Sequence, residues 1–80
     1  MATIQVRYFA AAADAAGLQS ETMTVPDAAT VAEVREAMIA EHPALAGVVQ
    51  LCSFLVDGQA AELTDPIGAT VDVLPPFAGG

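Results

Sequence analysis

Gly79 and Gly80 close a sequence of 80 residues. Neither carries a side chain, so the chemistry open to them is that of the backbone and of a terminal carboxylate. A C-terminal carboxyl has a reference pKa of about 3.5 and is ionised at neutral pH. Without a Cβ, paired glycines pass through a channel too narrow for other residues. The reactive carbon is therefore expected at the carboxyl of Gly80. Behind the pair stand Pro75, Pro76, Phe77 and Ala78. Each proline holds φ near −65°, and Pro76 keeps Pro75 out of the helical region. The chain is not expected to fold back directly after Leu74. Residues 75–80 reach at most about 20 Å, at ~3.3 Å each. This is the pattern of a stiff base with a bare tip. Phe77 is placed to fill a partner's pocket, unless it packs on its own domain.

Other side chains offer less. Cys52 lies in an apolar stretch, where a free cysteine is expected to pack as a small buried hydrophobe. His42 stands where a helix should end and suits the dipole there; no cysteine, serine or metal-ligand pattern accompanies it. Asp57-Gly58 is a turn signal before it is a metal ligand. The spacing of histidine, cysteine and carboxylates suggests neither zinc nor calcium. Gly58 and Gly68 are isolated and make no phosphate loop.

Ten acidic residues face two arginines, Arg7 and Arg35, and no lysine, giving a net charge of −8. A domain this acidic repels phosphate backbones, which argues against nucleic acid as a partner. It favours basic protein surfaces and also aids solubility. The composition, 55% hydrophobic and 15% charged, is that of a folded core and not of a disordered chain. No apolar run approaches the ~20 residues needed to span a bilayer, and the first residues lack a signal-peptide pattern. A single cysteine fits a reducing, cytoplasmic setting.

These candidates must be positioned by few elements. Thr3 to Phe9 alternates, with Ile4, Val6 and Tyr8 on one side, as a half-buried strand does. Ala10 to Ala16 predicts a short helical turn closed by Gly17. Ser20 to Val25 alternates again and is expected to pair with the first strand. Thr30-Val31-Ala32-Glu33 is a capping box, and Val31, Val34 and Met38 recur at helical spacing. The main helix is thus expected over 31–41, stopping before Pro43. Leu51 to Val56 predicts a third strand, Ala61 to Leu63 a brief fourth, and Thr70 to Leu74 the last. In that last strand Val71 and Val73 are expected to face inward and Asp72 outward. One helix covering one sheet makes a two-layer α+β domain over 1–74, with a flexible Gly-Gly tail over 75–80. The order is compatible with a β-grasp fold, as with other small α+β folds.

Along its whole length the sequence resembles the small subunit of molybdopterin synthase, a ubiquitin-like sulfur carrier. The resemblance rests on the opening strand Ile4–Ala10 with its short helix ending near Gly17, Thr30-Val31 with Val34, and Val56-Asp57-Gly58, where Asp stands for the family's usual Asn. Most specific is Pro75-Pro76-Phe77-Ala78-Gly79-Gly80 after the closing strand. Two places depart from the family pattern: Ala11-Ala12-Ala13-Asp14 replaces an arginine-glutamate pair, and Gly68-Ala69 replaces Gly-Asp. The resemblance implies a β-grasp fold of mixed sheet and one main helix, with acyl chemistry at Gly80. A separate activating enzyme would use ATP and Mg2+ to adenylate Gly80, and a persulfide donor would then leave a thiocarboxylate. The tail residues Pro75, Pro76, Phe77, Ala78 and Gly79 would enter the large synthase subunit of a heterotetramer. There the sulfur would pass to cyclic pyranopterin monophosphate to build the dithiolene. The chain would be a non-catalytic sulfur-donating subunit with no cofactor of its own. Three other readings share the sequence features: a carrier for thiamine or cysteine synthesis, a ubiquitin-like modifier joined to lysines through Gly80, and a β-grasp module with an inert tail.

Overall fold

The computed structural model of the chain describes residues 1–76. It shows β1 (Ala2–Tyr8), α1 (Ala11–Ala16), β2 (Ser20–Val25), α2 (Val31–Glu41), a 3-10 turn at Pro43–Leu45, α3 (Ala46–Val49), β3 (Ser53–Val56), β4 (Gln59–Ala61) and β5 (Thr70–Leu74). The strands form one mixed sheet in the order β2-β1-β5-β3-β4. β1 pairs antiparallel with β2 and parallel with β5, and β3 runs antiparallel to both β5 and β4. The last strand thus lies at the centre of the sheet, a placement that strand order along the sequence does not dictate.

Alternation decides which face is buried. Ile4, Val6 and Tyr8 of β1, Met23 and Val25 of β2, Phe54 of β3 and Val71 and Val73 of β5 all enter the core. α2 lays Val31, Val34 and Met38 into the same cluster, each fully shielded from solvent. Leu45 and Val49 close it from the short helices after Pro43. The helix starts as its sequence predicts. The Thr30 hydroxyl accepts from the Glu33 N–H at 3.4 Å, and the Glu33 carboxylate accepts from the Thr30 N–H at 2.9 Å. The Thr30 amide finds its acceptor there, and the Glu33 amide, which also donates to the Thr30 carbonyl at 3.1 Å, gains a second one.

Two expectations are corrected. The fourth strand is Gln59–Ala61, not Ala61–Leu63. The Asp57-Gly58 turn is only two residues long, so Val56 pairs directly with Gln59 and the return strand begins at once. Leu63 is left exposed beyond it. The third strand starts at Ser53, because Leu51 and Cys52 are taken up by the turn closing α3: their amides donate to Val48 and Val49 carbonyls. Asp72 does face away from the core cluster, yet it is only 5% exposed, because Arg7 covers it. The helical segment Ala46–Val49 had no counterpart among the expected elements.

Candidate functional site

β5 carries the chain to the candidate tail. Its C-terminal end is held from both sides: the Phe9 N–H donates to the Val73 carbonyl at 3.2 Å, and Leu74 stands opposite Ser53 of β3. The chain leaves the sheet between β1 and β3 at Leu74, with Pro75 half-buried and Pro76 exposed. Among the expected site residues, Pro75 and Pro76 are therefore placed at the exit of the central strand. Phe77, Ala78, Gly79 and Gly80 lie outside the described residues.

The register defines the sheet face that borders this exit. Arg7 of β1, Leu55 of β3 and Asp72 of β5 stand in one row, and Ala60 of β4 extends it. Directly opposed residues share a face, so this row lies on the side away from α2. At its middle, Arg7 Nε and Nη2 donate to the two Asp72 carboxylate oxygens at 2.6 and 2.8 Å. Such a two-pronged pair fixes both side chains in direction as well as distance. The hydrogen bond to Asp72, and then its charge, pushes the arginine pKa up still further. The Arg7 guanidinium also lies 6.0 Å from the centre of the Phe9 ring, and Phe9 is 40% exposed. Leu55 and Leu74 are half-buried on the same face. The open face thus joins a neutralised charge pair to apolar side chains, next to the point where the tail departs. Arginine and aromatic residues at a flat patch of this kind are typical of protein-binding surfaces.

The remaining candidate residues have structural work. Cys52 is half-buried just before β3; its Sγ donates to the Val48 carbonyl at 3.3 Å, and burial pushes its thiol pKa up. That is the reverse of what a reactive thiolate needs. His42 caps the C-terminal end of α2, and its Nε2 lies 2.7 Å from Glu21 Oε2. The same carboxylate oxygen accepts from the Tyr8 hydroxyl at 2.5 Å. Burial, then the Glu21 hydrogen bond and the charges of Glu21 and Glu41, push the Tyr8 phenol pKa up. Asp57 has φ of 50°, and its Oδ1 accepts from the Ala69 and Thr70 amides at 2.9 Å each and from the Thr70 hydroxyl. Gly68 sits close beside it: a Cβ there would lie 2.0 Å from Asp57 Oδ2 and would displace the carboxylate. Among the described residues, no group of three histidine, cysteine or carboxylate residues is placed to hold a metal ion, and no helix is long and apolar enough to cross a membrane.

Two arrangements escape a reading of local sequence: the Arg7–Asp72 pair and the Tyr8–Glu21–His42 cluster. The signal for the first was present in the alternation, since Arg7 and Asp72 both stand on the outward side of their strands. It becomes legible only once β1 and β5 are known to be neighbours.

A mixed sheet of this order gripping one main helix, with its central last strand delivering the C-terminal segment, defines a ubiquitin-like β-grasp domain. Comparison with known proteins agrees and is more specific. The model of the ThiS family matches residues 6–80. The molybdopterin synthase sulfur carrier subunit of Homo sapiens is 33% identical over 82 aligned positions, spanning 96% of this chain and 93% of that protein. The crystal structure of small archaeal modifier protein 1 from Haloferax volcanii superposes with a TM-score of 0.85 at 28% identity, covering 96% of this chain and 100% of the other. The structure of a complex of subunits 1 and 2 of the molybdopterin-converting factor from Helicobacter pylori gives a TM-score of 0.70 at 20% identity, covering 99% of this chain and 100% of the matched one, a likeness of fold. The chain belongs to the ThiS family and is a sulfur carrier of that type.

Proposed function

We propose that the chain carries sulfur as a thiocarboxylate at Gly80 and donates it to a large partner subunit that builds the molybdopterin dithiolene. The observation that carries this reading is that the family match runs from residue 6 on to Gly80, while β5 brings the chain to Pro75 from the centre of the sheet. In this reading a carboxylate oxygen of Gly80 attacks the α-phosphorus of ATP, with Mg2+ bound by the activating enzyme, and pyrophosphate leaves. The acyl adenylate is electrophilic at carbon; a persulfide sulfur attacks it and AMP leaves. A thiol then cleaves the sulfur–sulfur bond and frees the thiocarboxylate. The chain itself supplies recognition. The Arg7–Asp72 face with Phe9, Leu55 and Leu74 docks on the partner, and Pro75 to Gly79 thread the tip into its active site. The named function of the human relative and the two-subunit assembly of the Helicobacter pylori proteins support the choice of a large synthase subunit.

The test is intact-protein mass spectrometry after incubation with an adenylating sulfurtransferase, ATP, Mg2+ and a persulfide donor. One oxygen at Gly80 should be replaced by sulfur, and that sulfur should be lost when the large subunit and cyclic pyranopterin monophosphate are added. Loading followed by transfer to a thiazole or cysteine synthase instead would assign the thiamine or cysteine route. The likeness to the archaeal modifier protein supports a second reading, attachment of Gly80 to protein lysines. A stable amide product without sulfur would favour it.

A further inference from the structure

The sheet has two edges, β2 and β4. β4 is three residues long and β2 is six. A short edge strand offers little to pair with, whereas a longer one presents a row of open backbone groups. The register shows which groups these are. The Tyr8 N–H donates to the Gln19 carbonyl at 2.8 Å. Antiparallel pairs alternate between hydrogen-bonded and unbonded, so stepping by two makes Val6–Glu21, Ile4–Met23 and Ala2–Val25 the bonded pairs of the ladder. Ser20, Thr22 and Thr24 therefore turn their N–H and C=O groups away from β1, towards the edge. Among the described residues no further strand lies there.

A cleft of about 260 Å3 runs beside this edge, lined by Glu21, Thr22, Met23 and Thr24 of β2 and by Ala37 and Glu41 of α2. Neither arginine of the chain lines it. Arg7 is engaged with Asp72, and Arg35 lines a different cleft on the β3–β4 side. Glu41 is exposed on the α2 wall, and Glu21 is held in place by Tyr8 and His42. The small side chain of Ala37 leaves room between helix and strand. Open backbone donors and acceptors, with the exposed Glu41 carboxylate alongside, match an extended segment that carries a cation.

We propose that the β2 edge docks an extended lysine- or arginine-bearing segment of a partner protein, which adds to the sheet as a further strand. This surface is separate from the Arg7–Asp72 face and does not rest on the sulfur chemistry. The experiment uses the full chain, labelled for NMR, and two capped synthetic peptides, one alternating lysine with valine and the other glutamate with valine. The lysine peptide should shift the amides of Ser20 to Val25 saturably and slow hydrogen exchange at Thr22 and Thr24. The glutamate peptide should do neither. Thr24→Pro removes an outward N–H that makes no ladder bond, which an edge strand tolerates; it should weaken binding roughly ten-fold. Glu41→Arg changes the helix wall without touching the strand, and it should weaken the lysine peptide while leaving the fold intact. Shifts that fail to saturate or spread over the acidic surface, equal binding of both peptides, or unchanged affinity in Glu41→Arg would overturn the proposal. Concentration-dependent shifts at Ser20 to Val25 without peptide would also overturn it, by assigning the edge to a second copy of this chain.

Discussion

Asp57 shows how one residue serves both turn and closure. The amides of Thr70 and then Ala69 stabilise its ionised form and hold its pKa below the ordinary carboxylate value, against a smaller cost of burial. A carboxylate whose folded pKa is lowered stabilises the protein fully above its unfolded pKa, about 3.9. That contribution is lost as pH falls through the folded value. Asp57→Asn should therefore be less stable than the parent at neutral pH and show a flatter acid limb, the two converging once the pH has fallen through the folded pKa of Asp57. Asparagine tolerates the left-handed backbone of this position, so the comparison reports charge and hydrogen bonding, not strain. Urea unfolding across a pH series checks it; parallel acid limbs would count against the assignment.

The Arg7–Asp72 pair calls for a different comparison, since Asp72 is nearly covered while Arg7 is half-exposed. Removing only the arginine leaves a shielded carboxylate without its partner, whereas removing both removes the problem. Arg7→Leu should thus be more destabilising than the double change Arg7→Leu with Asp72→Leu. A double-mutant cycle in urea would show this as a large coupling energy. Additive effects would mean that the pair does no stabilising work.

Among the elements, those specified by neighbouring residues were the ones legible in the sequence. α2 needed only its capping box, its apolar spacing and Pro43, and its bounds follow from them. Thr30→Ala should cost about 1 kcal/mol, the usual cost of losing such a cap. The chain should still fold, because Val31, Val34 and Met38 remain buried; a loss near zero in urea unfolding would show that the cap is redundant. β1, β2 and β5 were equally legible, because alternation over five to seven residues names their buried faces. Alternation alone puts β4 two residues late, because Ala60, Ala61 and Leu63 carry no strong alternation and the hairpin turn sets the start of the strand. The segment from Pro43 to Val49 held no local signal beyond Pro43 itself. Its turns exist because Leu45 and Val49 cover the core, a tertiary cause. The candidate site divides in the same way. The tail motif could be read directly, while Arg7 and Asp72 stand 65 residues apart and meet only through the parallel pairing of β1 with β5. Tyr8, Glu21 and His42 come together likewise, from two strands and a helix end.

At the scale of the molecule, the fold separates what holds it together from what the tail is proposed to do. Among the described residues the buried core runs from Ile4 to Val73. The 80 residues contain no lysine, and with no ε-amine an activated Gly80 has no side-chain amine to capture on its own domain or on a second copy. We propose that the last two residues are separable from the fold. Deleting Gly79 and Gly80 should change the free energy of unfolding by no more than about 0.5 kcal/mol, the range of surface changes away from any packed feature. It should also leave intact the proposed docking face around Arg7 and Phe9, so the truncated chain should compete with the full-length chain for the large subunit, with reduced affinity. Sulfur loading should be abolished, because the carboxyl that ends the shortened chain belongs to Ala78, whose Cβ would have to enter a channel fitted to glycine. Urea unfolding, competition binding and intact mass spectrometry on the one variant resolve these effects. Normal loading would refute the role assigned to Gly80, and a large loss of stability would show that the tail belongs to the folded domain.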